Sequence, residues 1–235
     1  MKPVAIFRHA QTEGPGYLAD FLDRKHIPWC LIRIDAGDVL PVSVDDFSGL
    51  VFMGGPMSVN DELPWIQPVL ELIREAVGRD IPVLGHCLGG QLMSKALGGV
   101  VSANPIKEIG WGAIEVASHA TARRWFGDTR EFEGFHWHGE TFSLPAGATH
   151  LLSSRYCENQ AFALGKHLAF QCHIEMNADM VREWCKVGAD ELSAAASSPG
   201  VQQADEITRG LETRVPALNR VADTIYEAWA TGLSA

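Results

Sequence analysis

Short apolar runs alternate with helical patterns through the first hundred residues of this 235-residue chain. The runs predict strands at 4–7, 29–32, 50–53 and 81–84, and the amphipathic stretches between them predict helices at 16–25, 64–77 and 88–97. Strands joined by helices in this way form a parallel sheet with helices on both faces. We therefore predict an open, mostly parallel α/β sheet, in which sites form at the carboxyl ends of the strands.

The second half of the chain has a different pattern. Short β segments at 111–116, 132–138 and 150–153 are followed by 160–171, which folds about a Leu-Gly-Lys turn. These segments predict a small antiparallel extension of the sheet. From 177 to 235 the pattern is that of a helical tail with a break near 197–200, and its apolar stripes are expected to pack back on the domain. No repeat or linker interrupts 1–235, so we predict a single domain.

Composition narrows the class of partner and the compartment. With 19 basic and 29 acidic residues, the net charge is −10, which disfavours nucleic acid and anionic membranes as partners. Five cysteines without framework spacing indicate free thiols in a reducing compartment. No segment resembles a signal peptide or reaches membrane-spanning length. We therefore expect a cytoplasmic protein.

Cys87 lies at the predicted hinge between a strand and a helix, within Gly-His-Cys-Leu-Gly-Gly-Gln at 85–91. Glycines on both sides allow the tight turn that projects such a side chain from the edge of a sheet. The helix amino terminus behind it offers free N–H groups and a partial positive charge, which favours an anionic sulfur. This pattern is typical of a nucleophile, although an inert buried cysteine also fits a glycine-rich turn.

A nucleophilic cysteine needs a base, and the extended segment 170–175 offers one. Residues two apart share a face of an extended chain, so His173 and Glu175 are expected to point together. A carboxylate beside an imidazole fixes its tautomer and stabilises the imidazolium. We therefore predict Cys87, His173 and Glu175 as nucleophile, base and orienting acid; an ordinary surface His-x-Glu pair is the alternative.

An oxyanion site is predicted in the loop that follows the third strand. Gly55 has no side chain to block its N–H, and the N–H of Leu88 at the helix start supplies a second donor. Both follow strands of a parallel sheet, so they are expected at the same edge. An ordinary Gly-Pro turn at 55–56 is the alternative.

These three segments, in this order, resemble the class I, triad-type glutamine amidotransferases. The loop at 54–61 is most similar to free-standing members related to the amidotransferase domain of GMP synthase, and the resemblance covers most of the first 175 residues. It implies hydrolysis of the glutamine side-chain amide through a γ-glutamyl thioester on Cys87, with no cofactor. It also implies that Gln91, His138, Gly139 and Glu140 bind the amino-acid end of the substrate.

Three positions depart from the family pattern. Met57 replaces a small residue, which would narrow the pocket, and Gly90 replaces a larger one, which would open the pocket wall. His86 is unusual before the nucleophile. Strand alternation points it away from Cys87, so we interpret it as structural.

The acceptor of the ammonia is the larger open question. The chain contains neither a Ser-Gly-Gly-x-Asp-Ser pyrophosphate loop nor a Walker-type loop. Either a synthase partner in trans receives the ammonia, or the chain is a stand-alone γ-glutamyl peptidase or hydrolase. In both cases the substrate is a small molecule, glutamine or a γ-glutamyl compound.

Two other enzyme classes share parts of the pattern. Dienelactone-hydrolase-like enzymes use a similar elbow, and Asp128 could orient their histidine, but Gln91 and the His-x-Glu pair at 173–175 would then be unexplained. The segment 8–12 resembles the phosphate loop of histidine phosphatases. There Ala10 replaces the glycine, and no convincing second Arg–His set follows.

Metal binding and a non-catalytic role are both disfavoured. His136 and His138 alternate on one strand face and could meet His173, but a polar pocket lining explains them without a metal ion, so none is predicted. A regulatory subunit would have lost the triad, whereas all three of its residues are present here.

Overall fold

Nine strands form one sheet in the structure, a computed structural model that describes residues 1–233. In chain order they are β1 (Val4–Arg8), β2 (Trp29–Arg33), β3 (Gly49–Phe52), β4 (Val83–His86), β5 (Val101–Val116), β6 (Glu131–Phe142), β7 (Thr149–Ser154), β8 (Ala161–Leu164) and β9 (His167–Phe170). Their order across the sheet is β2-β1-β3-β4-β9-β8-β7-β5-β6. The four pairings from β2 to β9 are parallel, which confirms the predicted sheet.

Helices cover both faces of the parallel strands. Alternate residues along each strand are therefore buried in two separate cores, one on each face. Ile6 and Val51 face the core that holds α1 (Tyr17–Arg24). Phe7 and Phe52 stack on the other face, against α2 (Ile66–Gly78) and α3 (Leu88–Ala96). Strands buried on both faces need apolar residues at every position, which is why these strands read as unbroken apolar runs.

The antiparallel extension is larger than predicted. The strands β9, β8, β7, β5 and β6 pair antiparallel in that spatial order. β5 begins at Val101 rather than Trp111, and it passes a register shift between Ala103 and Glu108. Pro105 and its polar neighbours break the apolar alternation there, so the sequence pattern alone could not show that the chain continues as a strand.

The tail folds back onto the sheet as expected. It contains α5 (Ala178–Val187), α6 (Ala189–Ala194), α7 (Ala204–Thr208) and α8 (Leu211–Ala230), and the predicted break near 197–200 lies between α6 and α7. Its stripes are buried in the core beside α1 and an unpredicted short helix, α4 (Ala120–Phe126). No helix among residues 1–233 is long and apolar enough to cross a membrane.

Candidate active site

Cys87 connects β4 to α3 in a tight turn. Its backbone has φ 49° and ψ −107°, a conformation that costs energy for a residue with a side chain and persists where the surroundings fix it. A Cβ atom at Gly85 would lie 2.5 Å from the Gly89 carbonyl, and one at Gly89 would collide with the Phe52 carbonyl oxygen. The two glycines therefore let α3 approach the sheet closely, and Cys87 lies at the predicted hinge.

His173 and Glu175 form a buried pair beside this hinge. Nδ1 of His173 lies 2.7 Å from Glu175 Oε1, and both residues are almost fully buried. The backbone N–H of His173 donates to the Phe135 carbonyl of β6, which fixes the position of the ring. Because the carboxylate accepts from Nδ1, Nε2 is left to serve as the base.

The two groups hold each other in charged forms. Burial alone would lower the pKa of His173, but the carboxylate of Glu175 and then the Cys87 sulfur raise it well above its usual value. Burial would raise the pKa of Glu175, but His86 and His173 lower it to about 2. An imidazole whose protonated form is favoured in this way can accept the proton of a thiol.

His86 is interpreted above as structural, and it contacts this pair in a way that the sequence did not indicate. Its Nε2 lies 3.7 Å from Glu175 Oε2 and 3.2 Å from the Tyr226 hydroxyl of α8. The side chain is fully buried, and burial lowers its pKa while Glu175 raises it. Strand alternation could not show that the carboxylate of Glu175 lies beside it. That placement follows from β4 pairing with β9, with His86 opposite Phe170.

The two predicted oxyanion donors lie side by side. A Cβ atom at Gly55 would lie 2.7 Å from Leu88 Cδ2 and 2.6 Å from Met57 Sδ, so this loop packs directly on the start of α3. Leu88 is the first residue of α3, and its N–H has no intrahelical partner. Gly55 and Leu88 are therefore neighbours at the start of α3, next to Cys87, and their role as oxyanion donors stays a prediction.

A cavity of about 620 Å³ opens over Cys87 and contains the predicted substrate-binding residues in its lining: Gln91, His138, Gly139 and Glu140. Gln91 donates to Gln171 (3.1 Å), whose amide group in turn lies 3.6 Å from Cys87 Sγ. Ser58 donates to Glu140 Oε1 at 2.9 Å.

His138 differs from the other three lining residues. Nδ1 lies 3.0 Å from the Glu140 carbonyl and Nε2 lies 3.1 Å from Glu108 Oε2, so both ring nitrogens face protein groups. The ring contributes to the wall of the cavity, but neither nitrogen is free to hold a substrate.

Met57 lines the cavity, whereas the expectation for Gly90 is wrong. A side chain at Gly90 would collide with the Phe170 carbonyl oxygen of β9. Gly90 therefore allows α3 to pack on β9 and does not widen the pocket wall.

Several cavity residues come from segments that sequence reasoning did not connect with the site. Trp184 of α5 packs edge-on against His173, with ring centroids 4.8 Å apart. Trp137 donates to Glu191 of α6 at 2.8 Å. Glu13, from the loop after β1, lines the same cavity, and burial raises its pKa to about 7 while His173 opposes the shift. The tail helices therefore build one wall of the site, which their apolar stripes alone did not indicate.

The competing enzyme classes fit this geometry poorly. Asp128 is exposed in the loop after α4 and is not part of the cavity lining, so it cannot orient His173. His9 is buried, with Nδ1 3.0 Å from the Met53 carbonyl, which accounts for it without phosphate chemistry.

The chain is similar in both sequence and fold to members of one protein family. The model of the family described as glutamine amidotransferase class-I matches residues 31–180. The chain is 33% identical over 210 residues to the glutamine amidotransferase-like protein YfeJ of Salmonella typhimurium, with 85% of this chain and 86% of that protein covered. A solved structure, a glutamine amido transferase of Methylobacillus flagellatus, is 49% identical with a TM-score of 0.97, covering 100% of this chain and 96% of that chain.

Two further relatives carry more specific names. Gamma-glutamyl peptidase 3 of Arabidopsis thaliana is 28% identical over 163 residues, which cover 66% of each protein. A glutamine-hydrolysing GMP synthase of Aromatoleum aromaticum is 32% identical over 172 residues, which cover 62% of this chain but only 32% of that protein.

Proposed function

Since the chain belongs to the class-I glutamine amidotransferase family, we propose that it hydrolyses the side-chain amide of glutamine through a γ-glutamyl thioester on Cys87. The observation that carries the proposal is that Cys87 and His173 line one cavity while Glu175 is hydrogen-bonded to His173. Cys87 lies at the strained hinge, and the hydrogen-bonded pair of His173 and Glu175 lies beside it. A nucleophile, a base and a group that orients the base are what covalent acyl transfer requires.

Acylation begins with attack of Cys87 Sγ on the amide carbon, while Nε2 of His173 takes the thiol proton. The carbonyl oxygen becomes an oxyanion that accepts hydrogen bonds from the N–H groups of Gly55 and Leu88; loss of one such donor costs about 10²–10³ in rate. The C–N bond then breaks, and His173 returns the proton to the departing ammonia. The product is a thioester between Cys87 and the γ-carbonyl of glutamate.

Deacylation repeats these steps with water. His173 takes a proton from the water, the hydroxide attacks the thioester carbonyl, and the sulfur leaves and regains a proton, releasing glutamate. Glu175 holds the ring tautomer throughout, because its carboxylate accepts the Nδ1 proton and stabilises the imidazolium. Gln91, Gly139 and Glu140 line the cavity where the amino-acid end of the substrate would bind, and Glu140 offers a carboxylate to its ammonium group.

A γ-glutamyl peptidase activity is the second candidate, and the size of the cavity favours it. About 620 Å³ falls within the range of pockets that hold ligands much larger than an amino acid. Beyond Cys87 the lining continues to Lys107, Asp190 and Glu191, charged residues that could bind a leaving amino acid or peptide. The same thioester would form, with an amine in place of ammonia as the leaving group.

A synthase partner remains the third element of the proposal. The GMP synthase relative is about three times as long as the matched segment, so that protein carries further chain beyond the shared part. If ammonia from this chain is used, a separate synthase would receive it.

All five cysteines are free thiols in the structure, which supports the prediction of a reducing, cytoplasmic compartment.

The test is release of glutamate from L-glutamine and from a γ-glutamyl dipeptide by the purified chain, with Cys87→Ala as the matched control. Release that depends on Cys87 from glutamine supports the glutaminase, and faster release from the dipeptide supports the peptidase. Labelling of Cys87 by diazo-oxo-norleucine without turnover supports a site that waits for a partner. Absence of both turnover and labelling would overturn the mechanism.

A further inference from the structure

Four buried polar side chains converge behind the wall of the active-site cavity. They are Glu108 of β5, His136 and His138 of β6, and Gln160, which directly precedes β8. Glu108, His136 and His138 each present one ligand atom, and these three atoms lie within 4.8 Å of one another. The proposed hydrolysis of glutamine uses none of them for chemistry, so the cluster requires its own explanation.

The distances between these atoms lie on both sides of those expected between ligands around one ion. Glu108 Oε2 lies 3.1 Å from His138 Nε2 and 4.0 Å from His136 Nδ1. The amide nitrogen of Gln160 lies 2.8 Å from Glu108 Oε2 and 3.3 Å from each of the two imidazole nitrogens. Ligand atoms bonded at about 2.0–2.2 Å to a tetrahedral zinc ion lie roughly 3.3–3.5 Å apart.

Hydrogen bonds alone leave this cluster poorly satisfied. Nδ1 of His138 must carry a proton, because its neighbour at 3.0 Å is the Glu140 carbonyl oxygen. In the neutral ring Nε2 then carries a lone pair and no proton, and it lies 3.1 Å from a carboxylate oxygen of Glu108. Two acceptors at this distance repel each other unless a proton or a cation lies between them. A histidine that donates its other N–H to a backbone carbonyl is also the usual arrangement of a metal ligand.

The amide of Gln160 is the second anomaly. Its nitrogen has two hydrogens but four polar neighbours within 3.3 Å, the fourth being the Ser154 hydroxyl at 3.0 Å. Its oxygen is buried without a hydrogen-bond partner among the residues that the structure describes. Rotating the amide by half a turn exchanges the two atoms and directs the oxygen at the cluster. Four acceptors would then face a single point.

We propose that Glu108, His136, His138 and the amide oxygen of Gln160 bind one divalent ion of the zinc type. Imidazole and carboxylate ligands suit zinc and its neighbours in the first transition series. A second cavity of about 270 Å³, lined by Glu108 and His136, offers an entry path.

The ion would connect three strands behind the nucleophile. His136 and His138 flank Trp137, whose carbonyl oxygen lies 3.8 Å from Cys87 Sγ and whose indole donates to Glu191 in the cavity wall. Tying β6 to Glu108 and Gln160 would therefore fix the wall that Trp137 presents to the substrate. The ion has a structural role here, with no contact to the reacting atoms.

The experiment measures the metal content of the purified protein and then titrates the chelator-treated protein with Zn²⁺ and Co²⁺. We expect about one zinc per chain and, with cobalt, the visible bands of a tetrahedral ion without sulfur-to-metal charge transfer. Zn²⁺ should also raise the melting temperature, since a ligand that binds the folded state stabilises it. Absence of bound metal and of any cobalt spectrum would overturn the proposal.

Matched variants locate the ion. Glu108→Gln keeps the shape of the side chain and should weaken zinc binding at least about tenfold, and His136→Ala should do the same. Cys87→Ala should bind zinc like the parent protein, which separates this site from the thiol, and exposed His26→Asn is the control for a histidine outside the cluster. Loss of binding in Cys87→Ala, or unchanged binding in both Glu108→Gln and His136→Ala, would contradict the assignment.

Discussion

Two buried clusters in this protein each combine imidazole with carboxylate, and they differ in how the ring is turned. In the first, Nδ1 of His173 donates to Glu175 and leaves Nε2 as a base on the side of Cys87. In the second, Nδ1 of His138 donates to a backbone carbonyl, and Nε2 itself faces the carboxylate of Glu108. The partner of Nδ1 therefore distinguishes the candidate base from the candidate metal ligand, although the residue types are the same.

The two clusters also differ in how their side chains border the active-site cavity. Cys87 and His173 line the larger cavity, whereas Glu108 and His136 line only the smaller one. His138 also lines the larger cavity, but both of its ring nitrogens face protein groups rather than the cavity. The comparison predicts that activity and metal content respond to different residues.

The largest expected effect tests this separation directly. His173→Ala should lower glutamine or γ-glutamyl hydrolysis by about 10⁴-fold or more, because removal of the base disables the whole catalytic unit. Its zinc content should equal that of the parent. His136→Ala should show the reverse pattern, with metal lost and Cys87 still labelled by diazo-oxo-norleucine. Metal loss in His173→Ala would show that the two clusters are not independent sites.

The next effect concerns the orientation of the base. Glu175→Gln keeps the volume of the side chain, but its amide can donate to Nδ1 and place the proton of His173 on Nε2, where it blocks transfer from the thiol. We expect a loss in kcat of about 10³–10⁴-fold. Initial-rate kinetics on the preferred substrate would measure it. A loss of less than tenfold would show that Glu175 does not fix the tautomer.

A smaller effect is expected from the histidine behind Glu175. His86→Phe removes the only imidazole that faces Glu175 Oε2 in the described structure, while a ring of similar shape can still pack on Phe170. We expect kcat to fall by about tenfold, or 1.4 kcal/mol. KM should not change, because His86 is fully buried and cannot touch the substrate.

Tyr226→Phe is the matched control for this change, since it removes the hydroxyl beside His86 and leaves the imidazole in place. It should have the smaller effect on kcat. An equal rise in KM for both variants would point to general disturbance of the fold rather than to support of Glu175.

The smallest effect concerns stability. Burial raises the pKa of Glu13 from its ordinary value of 4.5 to about 7, so the stability that the protonated carboxyl contributes is present below pH 4.5 and lost as the pH rises to 7. Glu13→Gln does not titrate. The free energy of unfolding of the variant minus that of the parent should therefore increase between pH 4.5 and pH 8. We expect an increase of about 1–2 kcal/mol, which is less than the full pKa shift would give, because the carboxyl is partly exposed in the cavity.

Glu191→Gln is the control of opposite sign. Lys107 and Trp137 outweigh burial and lower the pKa of Glu191, so its carboxylate contributes stability at neutral pH that falls away in acid. Denaturant unfolding of both variants at the two pH values would compare them. The same pH trend in both would show that the local surroundings of these carboxyl groups do not set their stability effects.

Much of the architecture was predictable from local pattern. Short stretches of sequence predict the parallel strands, because strands buried on both faces need continuous apolar runs. Glycine spacing in the same way predicts the hinge at Cys87 and the break in the tail. The same holds for His173 and Glu175, which lie two residues apart in one segment. Chemistry carried by a short motif can be recognised without knowing which strands are neighbours.

Local sequence pattern was therefore enough to predict the alternation of strands and helices and to select Cys87 and His173 as the candidate nucleophile and base. The contacts between distant segments became visible only in the folded chain. Pairing of β4 with β9 brings Glu175 to His86, and the antiparallel pairing of β5 with β6 brings Glu108 to His138. Gly90 serves helix packing rather than the pocket for the same reason. Such contacts depend on register and strand order, which set distances between residues that no local pattern relates.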